Sequence, residues 1–146
     1  MTLFCQKIDH LPPAEMKLLC RGAQASHYWE RDPQTGLDVE RYTYAWRDFQ
    51  IDLYITAQPD IVADLEGFLR HASNLARGKR QVLSSDFKQR VRSTQLLIGY
   101  IAGPDYDEPS RFHRLENLVL GLCESTQSIL FWQDKIYDEY GALLIG

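Results

Sequence analysis

The sequence predicts an α+β domain: a largely antiparallel sheet, made of a three-stranded meander plus central and C-terminal strands, with helices packed on one face. Three observations carry this expectation. Residues 27–55 are dense in aromatic and β-branched residues punctuated by turn signals, residues 60–78 repeat apolar side chains at helical spacing, and residues 95–102, QLLIGYIA, are apolar without alternation. At 146 residues, 45% hydrophobic and 25% charged, the chain has the size and composition of one globular domain, 1–146, around one core.

Each element follows from local chemistry. The start, MTLFCQKIDH, reads as an irregular leader that ends at Pro12-Pro13, and AEMKLLCRGAQA (14–25) offers good helix formers interrupted by Gly22. HYWER and DVERYTYAW flank DPQTG, where Asp32, Pro33 and Gly36 supply a turn starter, a preset φ and tolerance of positive φ, so a hairpin is expected. A second reversal at Arg47-Asp48 sets Trp46 opposite Phe49, Tyr44 opposite Ile51 and Tyr42 opposite Leu53, all six on one face. After Pro59, Ile61, Val62, Leu65, Phe68, Leu69, Ala72, Leu75 and Ala76 form the apolar stripe of a helix that stops at Gly78 behind Arg77. A shorter helix covers 84–91 with Ser84 or Ser85 as its cap. QLLIGYIA, apolar on both faces, reads as a central strand. Residues 110–125 form another amphipathic helix through Phe112, Leu115, Leu118, Val119, Leu122 and Cys123. SILFW (128–132) and ALLIG (142–146) read as two strands joined through a turn at DEYG (138–141).

Composition excludes several function classes. The longest uncharged run, 93–104, is shorter than the ~20 apolar residues of a membrane-spanning helix, and the N-terminus has neither a basic leader nor an apolar core, so a cytoplasmic protein without a membrane role is expected. Cys5, Cys20 and Cys123 are odd in number, widely spaced and without a CxxC pair, which predicts three reduced, buried thiols rather than a disulfide frame or a zinc site. The net charge of -4 conceals a basic segment, Arg70, Arg77, Lys79, Arg80, Lys88, Arg90 and Arg92, interrupted by a single acid, Asp86.

The C-terminal third resembles a pattern in uncharacterised bacterial proteins of unknown function. An apolar strand (Leu96 to Ala102) runs into a Pro/acidic loop (Pro104 to Pro109), then an amphipathic helix (Phe112 to Cys123), an apolar strand (Ile129 to Trp132) and a hairpin at Tyr137-Asp138-Glu139-Tyr140-Gly141. The resemblance covers about fifty residues. It implies this order of elements and brings no established activity.

Candidate chemistry is sparse. Asp105, Asp107 and Glu108 follow a central strand and could offer oxygens to a divalent cation, but a helix cap followed by Pro109 accounts for them more simply, so no metal is expected. No G-x-S-x-G elbow occurs, and Cys123 and His113 fall on different sides of their helix, so no catalytic residue is assigned. No cofactor-binding loop is present either. Arg77, Lys79 and Arg80 around Gly78 could bind an anion. A nucleic-acid partner is disfavoured by the acidic pI near 5.5 and by aromatics that lie elsewhere in the sequence. Tyr137 and Tyr140 flank a turn rich in charge, Asp134, Asp138 and Glu139, and Tyr beside rim carboxylates is a favoured interface anchor.

The expectation that follows is a non-catalytic bacterial interaction module, immunity-type or adaptor, that binds and neutralises a basic protein partner. Its predicted contact residues are Asp105, Asp107, Glu108, Asp134, Tyr137, Asp138, Glu139 and Tyr140. The alternative is a small metal-dependent hydrolase or phosphate-ester enzyme using the 105–108 carboxylates, with Arg77, Lys79 or Arg80 as anion clamp. Oligomeric state and strand order are not encoded in any of these signals.

Overall fold

The computed structural model describes residues 1–7, 20–102 and 108–146. Its elements run β1 (Thr2–Cys5), β2 (Gln24–Arg31), β3 (Asp38–Ala45), β4 (Gln50–Ala57), α1 (Val62–Gly78), α2 (Ser85–Arg92), β5 (Leu96–Ala102), α3 (Pro109–Thr126), β6 (Ile129–Trp132), β7 (Lys135–Tyr137) and β8 (Leu143–Ile145). All eight strands join one antiparallel sheet in the order β2-β3-β4-β5-β1-β6-β7-β8. The class is α+β, as the pattern of elements predicts.

The meander forms in the expected register. Tyr44 pairs with Ile51 and Tyr42 with Leu53, while the Trp46 N–H donates to the Phe49 carbonyl at 2.7 Å. Tyr42, Tyr44, Phe49, Ile51 and Leu53 are all buried in one core, with Trp46 packed at its margin. Alternation with period two is the cause: Tyr42 and Tyr44 on β3 and Ile51, Leu53 and Ile55 on β4 are alternate residues, and this register buries them together. β5 lies fourth of eight, and the strand is clad on both sides, with Leu96 and Ile98 in one core and Leu97 in the other.

Those two cores correct the expectation that helices pack on one face. α3 lays Leu115, Leu118, Val119, Leu122 and Cys123 against Leu3, Ile98 and Leu130. α1 and α2 lay Leu65, Phe68, Leu69, Phe87 and Val91 against Phe4, Leu97 and Ile129. Leu3 and Phe4, Leu97 and Ile98, and Ile129 and Leu130 are adjacent in sequence, so their side chains point to opposite faces and both faces need cover. Phe68 is the hub of the second core, with its ring 4.0 Å from Phe4 and 5.6 Å from Phe131.

Other corrections are local. The leader contains β1, which inserts between β5 and β6 at the middle of the sheet. The helix expected over 14–25 lies largely outside the described residues and does not reach its predicted end: Gly22 takes φ +82°, the Ala23 N–H closes a turn onto the Cys20 carbonyl, and β2 starts at Gln24. Val62, assigned to the core stripe, is half exposed, whereas Ile61 just before it is fully buried. Trp29 is 63% exposed because β2 is an edge strand. The C-terminus holds three strands rather than two: Gln133 and Asp134 both adopt positive φ, the two-residue geometry of a tight hairpin, and return the chain as β7 beside β6.

Helix caps follow the sequence signals. Ser84 precedes α2 in extended conformation, and its hydroxyl accepts the Phe87 N–H at 3.1 Å. Glu108 is the N-cap of α3 and Pro109 holds its first position. α3 closes on Gln127 in left-handed conformation, with the Ser128 N–H donating to the Cys123 carbonyl. No helix among the described residues is long and apolar enough to cross a membrane.

Candidate functional site

The Asp138–Gly141 turn between β7 and β8 is built by its first residue. The Asp138 carboxylate accepts the N–H groups of Tyr140 at 2.9 Å and Ala142 at 2.8 Å, and its own N–H donates to the Ala142 carbonyl. Gly141, at φ +81°, completes the reversal in a conformation that favours glycine, and a Cβ there would crowd a Leu120 methyl at 3.1 Å. The carboxylate of Asp138 is thus consumed in shaping the turn, and the result is to present Tyr140, 77% exposed, at its tip.

Seating the turn on α3 creates a cleft of about 270 Å³. Leu115, Glu116, Val119 and Leu120 of α3 form one wall, Leu130 and Trp132 of β6 with Tyr137 of β7 form the floor, and Tyr140, Gly141 and Met1 close the rim. The helix contributes this wall because 115/119 and 116/120 are i,i+4 pairs on neighbouring rows of its surface. Trp132 is steadied by the Phe112 ring, 5.7 Å away. Glu116 is the one carboxylate among the described lining residues.

The predicted contact residues are divided rather than assembled into an acidic face. Tyr137 and Tyr140 meet in the cleft. Glu139 is bound by Arg90 of α2 at 2.8 Å, and the same guanidinium donates to the Gln127 carbonyl at 3.0 Å, tying the turn to the ends of two helices. Asp134 sits at the opposite end of the β6–β7 hairpin from Glu139 and approaches His71 of α1 at 3.5 Å. Glu108 takes the Ser110 hydroxyl at 2.6 Å, which with the nearby Arg111 guanidinium, 3.6 Å away, holds its carboxyl below the usual range. It lies twelve residues before Leu120 on α3, roughly 18 Å along the helix axis from the cleft turn. Asp105 and Asp107 lie outside the described residues.

Other candidates resolve as follows. Arg77, Lys79 and Arg80 are exposed at the last turn of α1 and just beyond it, with Arg80 at positive φ. Within the basic segment, Arg90 binds Glu139 and Arg92 binds Glu66 at 3.0 Å, so part of its charge faces the chain's own acids. Among the described residues no group of three His, Cys, Asp or Glu side chains could hold a metal ion. The three thiols are buried and free. Burial pushes Cys5 up to about 11 and Cys20 and Cys123 up to about 12, which keeps them protonated and unreactive at neutral pH. His27 reaches Glu40 at 2.8 Å, and the same carboxylate oxygen accepts the Tyr42 hydroxyl.

Glu116, Leu120 and Trp132 are functional candidates that the linear reading passed over. Leu120 carried a signal: it is an apolar residue off the buried Leu115–Leu118–Val119–Leu122 stripe, hence a Leu on the wet side of an amphipathic helix. Glu116 carried none, since an acid on that side is ordinary. No protein-family model, curated protein or solved structure matches this chain.

Proposed function

We propose that this chain is a non-catalytic interaction module, of the adaptor or immunity type, that binds a basic protein partner through the cleft between α3 and the β6–β8 strands. The observation that carries the reading is Tyr140, 77% exposed on a rigidly built turn above an apolar cleft. A large aromatic held in the open by hydrogen bonds to its own turn is a preorganised anchor, and preorganisation reduces the ordering cost of association. Glu116 beside the rings suits an ammonium or guanidinium group of the partner, which would meet both a carboxylate and aromatic faces. This placement moves the contact surface from the acidic loops to the cleft, because Asp138 and Glu139 already have partners within the chain.

The test is a binding measurement with a partner recovered on the immobilised wild-type chain. Tyr140→Ala should weaken that complex at least about tenfold, the scale of an interface hot spot. Glu116→Gln should weaken it less and flatten its salt dependence. An affinity unchanged in the Tyr140→Ala, Leu120→Lys double variant would place the contact elsewhere.

A further inference from the structure

The two ends of the sheet are finished differently. β8 is three residues long and its pairing with β7 is broken by an irregularity at Ile136/Tyr137, both devices that blunt an edge. β2 is eight residues long, QASHYWER, with no proline, no lysine and an unbroken register with β3 from Gln24↔Ala45 to Arg31↔Asp38. All eight residues are exposed. Tyr28 and Trp29, on opposite faces, are 41% and 63% exposed.

The hydrogen-bond phase of that edge can be fixed. Asp32 donates to the Leu37 carbonyl, and Trp46 donates to the Phe49 carbonyl. In an antiparallel ladder hydrogen-bonded pairs alternate with unbonded ones, so β2 turns the N–H and C=O groups of its even-numbered residues toward β3. Those of Ala25, His27, Trp29 and Arg31 therefore point outward, away from the sheet.

We propose that β2 is a self-association edge, at which two copies of this chain pair their β2 strands antiparallel about a twofold axis at Tyr28. In this register His27 lies opposite the other copy's Trp29 in a hydrogen-bonded pair, Ala25 opposite Arg31, and Ser26 opposite Glu30. Tyr28 meets itself. The pairing is self-complementary: aromatic faces aromatic three times, Ser faces Glu twice, and no like charges stand opposite one another. Shifting the strands one step one way would set Trp29 against Ala25 and imidazole against imidazole, and one step the other way would set His27 against Arg31 and Tyr28 against Glu30. Although each chain carries a net -4, β2 itself is neutral, with Glu30 bound by Arg41 at 3.0 Å and Arg31 by Asp38 at 3.2 Å. The Tyr28 ring is held in place by the Arg41 guanidinium, 5.4 Å from its centroid. A second copy is a better fit than a foreign strand because it supplies this matched sequence at every encounter. The edge lies at the other end of the sheet from the proposed partner cleft, and neither reading depends on the other.

Sedimentation velocity from low micromolar to near-millimolar concentration should show a reversible monomer–dimer equilibrium. Trp29→Pro removes an outward N–H and the ring while leaving the β2–β3 ladder intact, and should raise the dimer dissociation constant at least tenfold with an unchanged circular dichroism spectrum. Trp29→Lys should do the same without altering the backbone. Tyr28→Cys should form an intermolecular disulfide on mild oxidation, since the α-carbons of such an unbonded pair lie about 4.5 Å apart. Ser26→Cys should not, because it faces Glu30. A wild-type chain that stays monomeric over the whole range, including one whose β2 pairs only with another protein's strand, overturns the proposal. So does a dimer that persists in both Trp29 variants, or one in which Tyr28→Cys does not cross-link.

Discussion

β1 and β2 show how differently one sheet can treat two strands. β1 is four residues long, yet Leu3, Phe4 and Cys5 are almost entirely buried, because it has a strand on each side and a helix layer on each face. β2 is twice as long and exposed throughout, with β3 as its one strand neighbour among the described residues. Its holding contacts are cross-strand and polar: the His27 ring stacked on Tyr42 at 4.3 Å, His27 on Glu40, Arg41 between Glu30 and Asp52. Length and hydrogen bonds therefore do not make a strand a stabilising one here. Cover on both faces does, because apolar burial is the larger favourable contribution and exposed ion pairs contribute little.

The widest separation between the two regions is expected from truncating one ring in each. Phe68→Ala removes the hub beneath β1 and should destabilise the fold by about 3–5 kcal/mol in urea denaturation, whereas Trp29→Ala on β2 should stay within about 0.5 kcal/mol. Equal losses would mean that the meander is as well anchored as the clad half.

A second contrast is set by pH. Cys5, Cys20 and Cys123 all belong to the core beneath α3, and burial raises all three above the ordinary 9.0. The unfolded chain ionises them near 9 and the folded chain does not, so stability is full below pH 9 and falls as pH rises toward about 11 to 12. The slope is up to about 1.4 kcal/mol per pH unit for each thiol. Urea midpoints at pH 7 and pH 10 measure it, and Cys123→Ala should flatten the fall. A midpoint unchanged at pH 10 would mean that the thiols are not sealed from water.

Smaller effects sharpen the boundary of the helix layer. Ser84→Ala leaves the Phe87 N–H without its cap and should cost about 1 kcal/mol by the same denaturation assay. Glu66→Gln breaks the exposed pair with Arg92, and its effect on thermal midpoint should be near zero in high salt.

Much of this architecture was legible in the sequence where period and punctuation agreed. The β3–β4 register followed from six alternating large side chains, α1 from its apolar stripe, and β5 from its lack of alternation. β1 was not legible, because four residues carry no period and its burial comes from strands some ninety and one hundred and twenty-five positions away. Nor was β7, a three-residue strand introduced by Asp134-Lys135, where the charges read as turn. Trp29 could not be assigned to water from its own segment, since which strand ends the sheet is decided by the whole topology. At the cleft, Tyr137 and Tyr140 were marked by their turn. The neighbouring acids were not separable, because Glu139 meets Arg90 across 49 positions and only the folded chain reveals that pairing.

The central place of β1 also sets the order in which the molecule can be made. Its partners Leu96–Ala102 and Ile129–Trp132 leave the ribosome long after it does. At 5–20 residues per second, the 124 positions between Cys5 and Ile129 correspond to roughly 6–25 s during which Leu3, Phe4 and Cys5 have no slot to enter. The meander can zip locally in that interval, but the middle of the sheet closes only when β6 arrives, which makes completion of this fold a late, long-range event in the life of each chain.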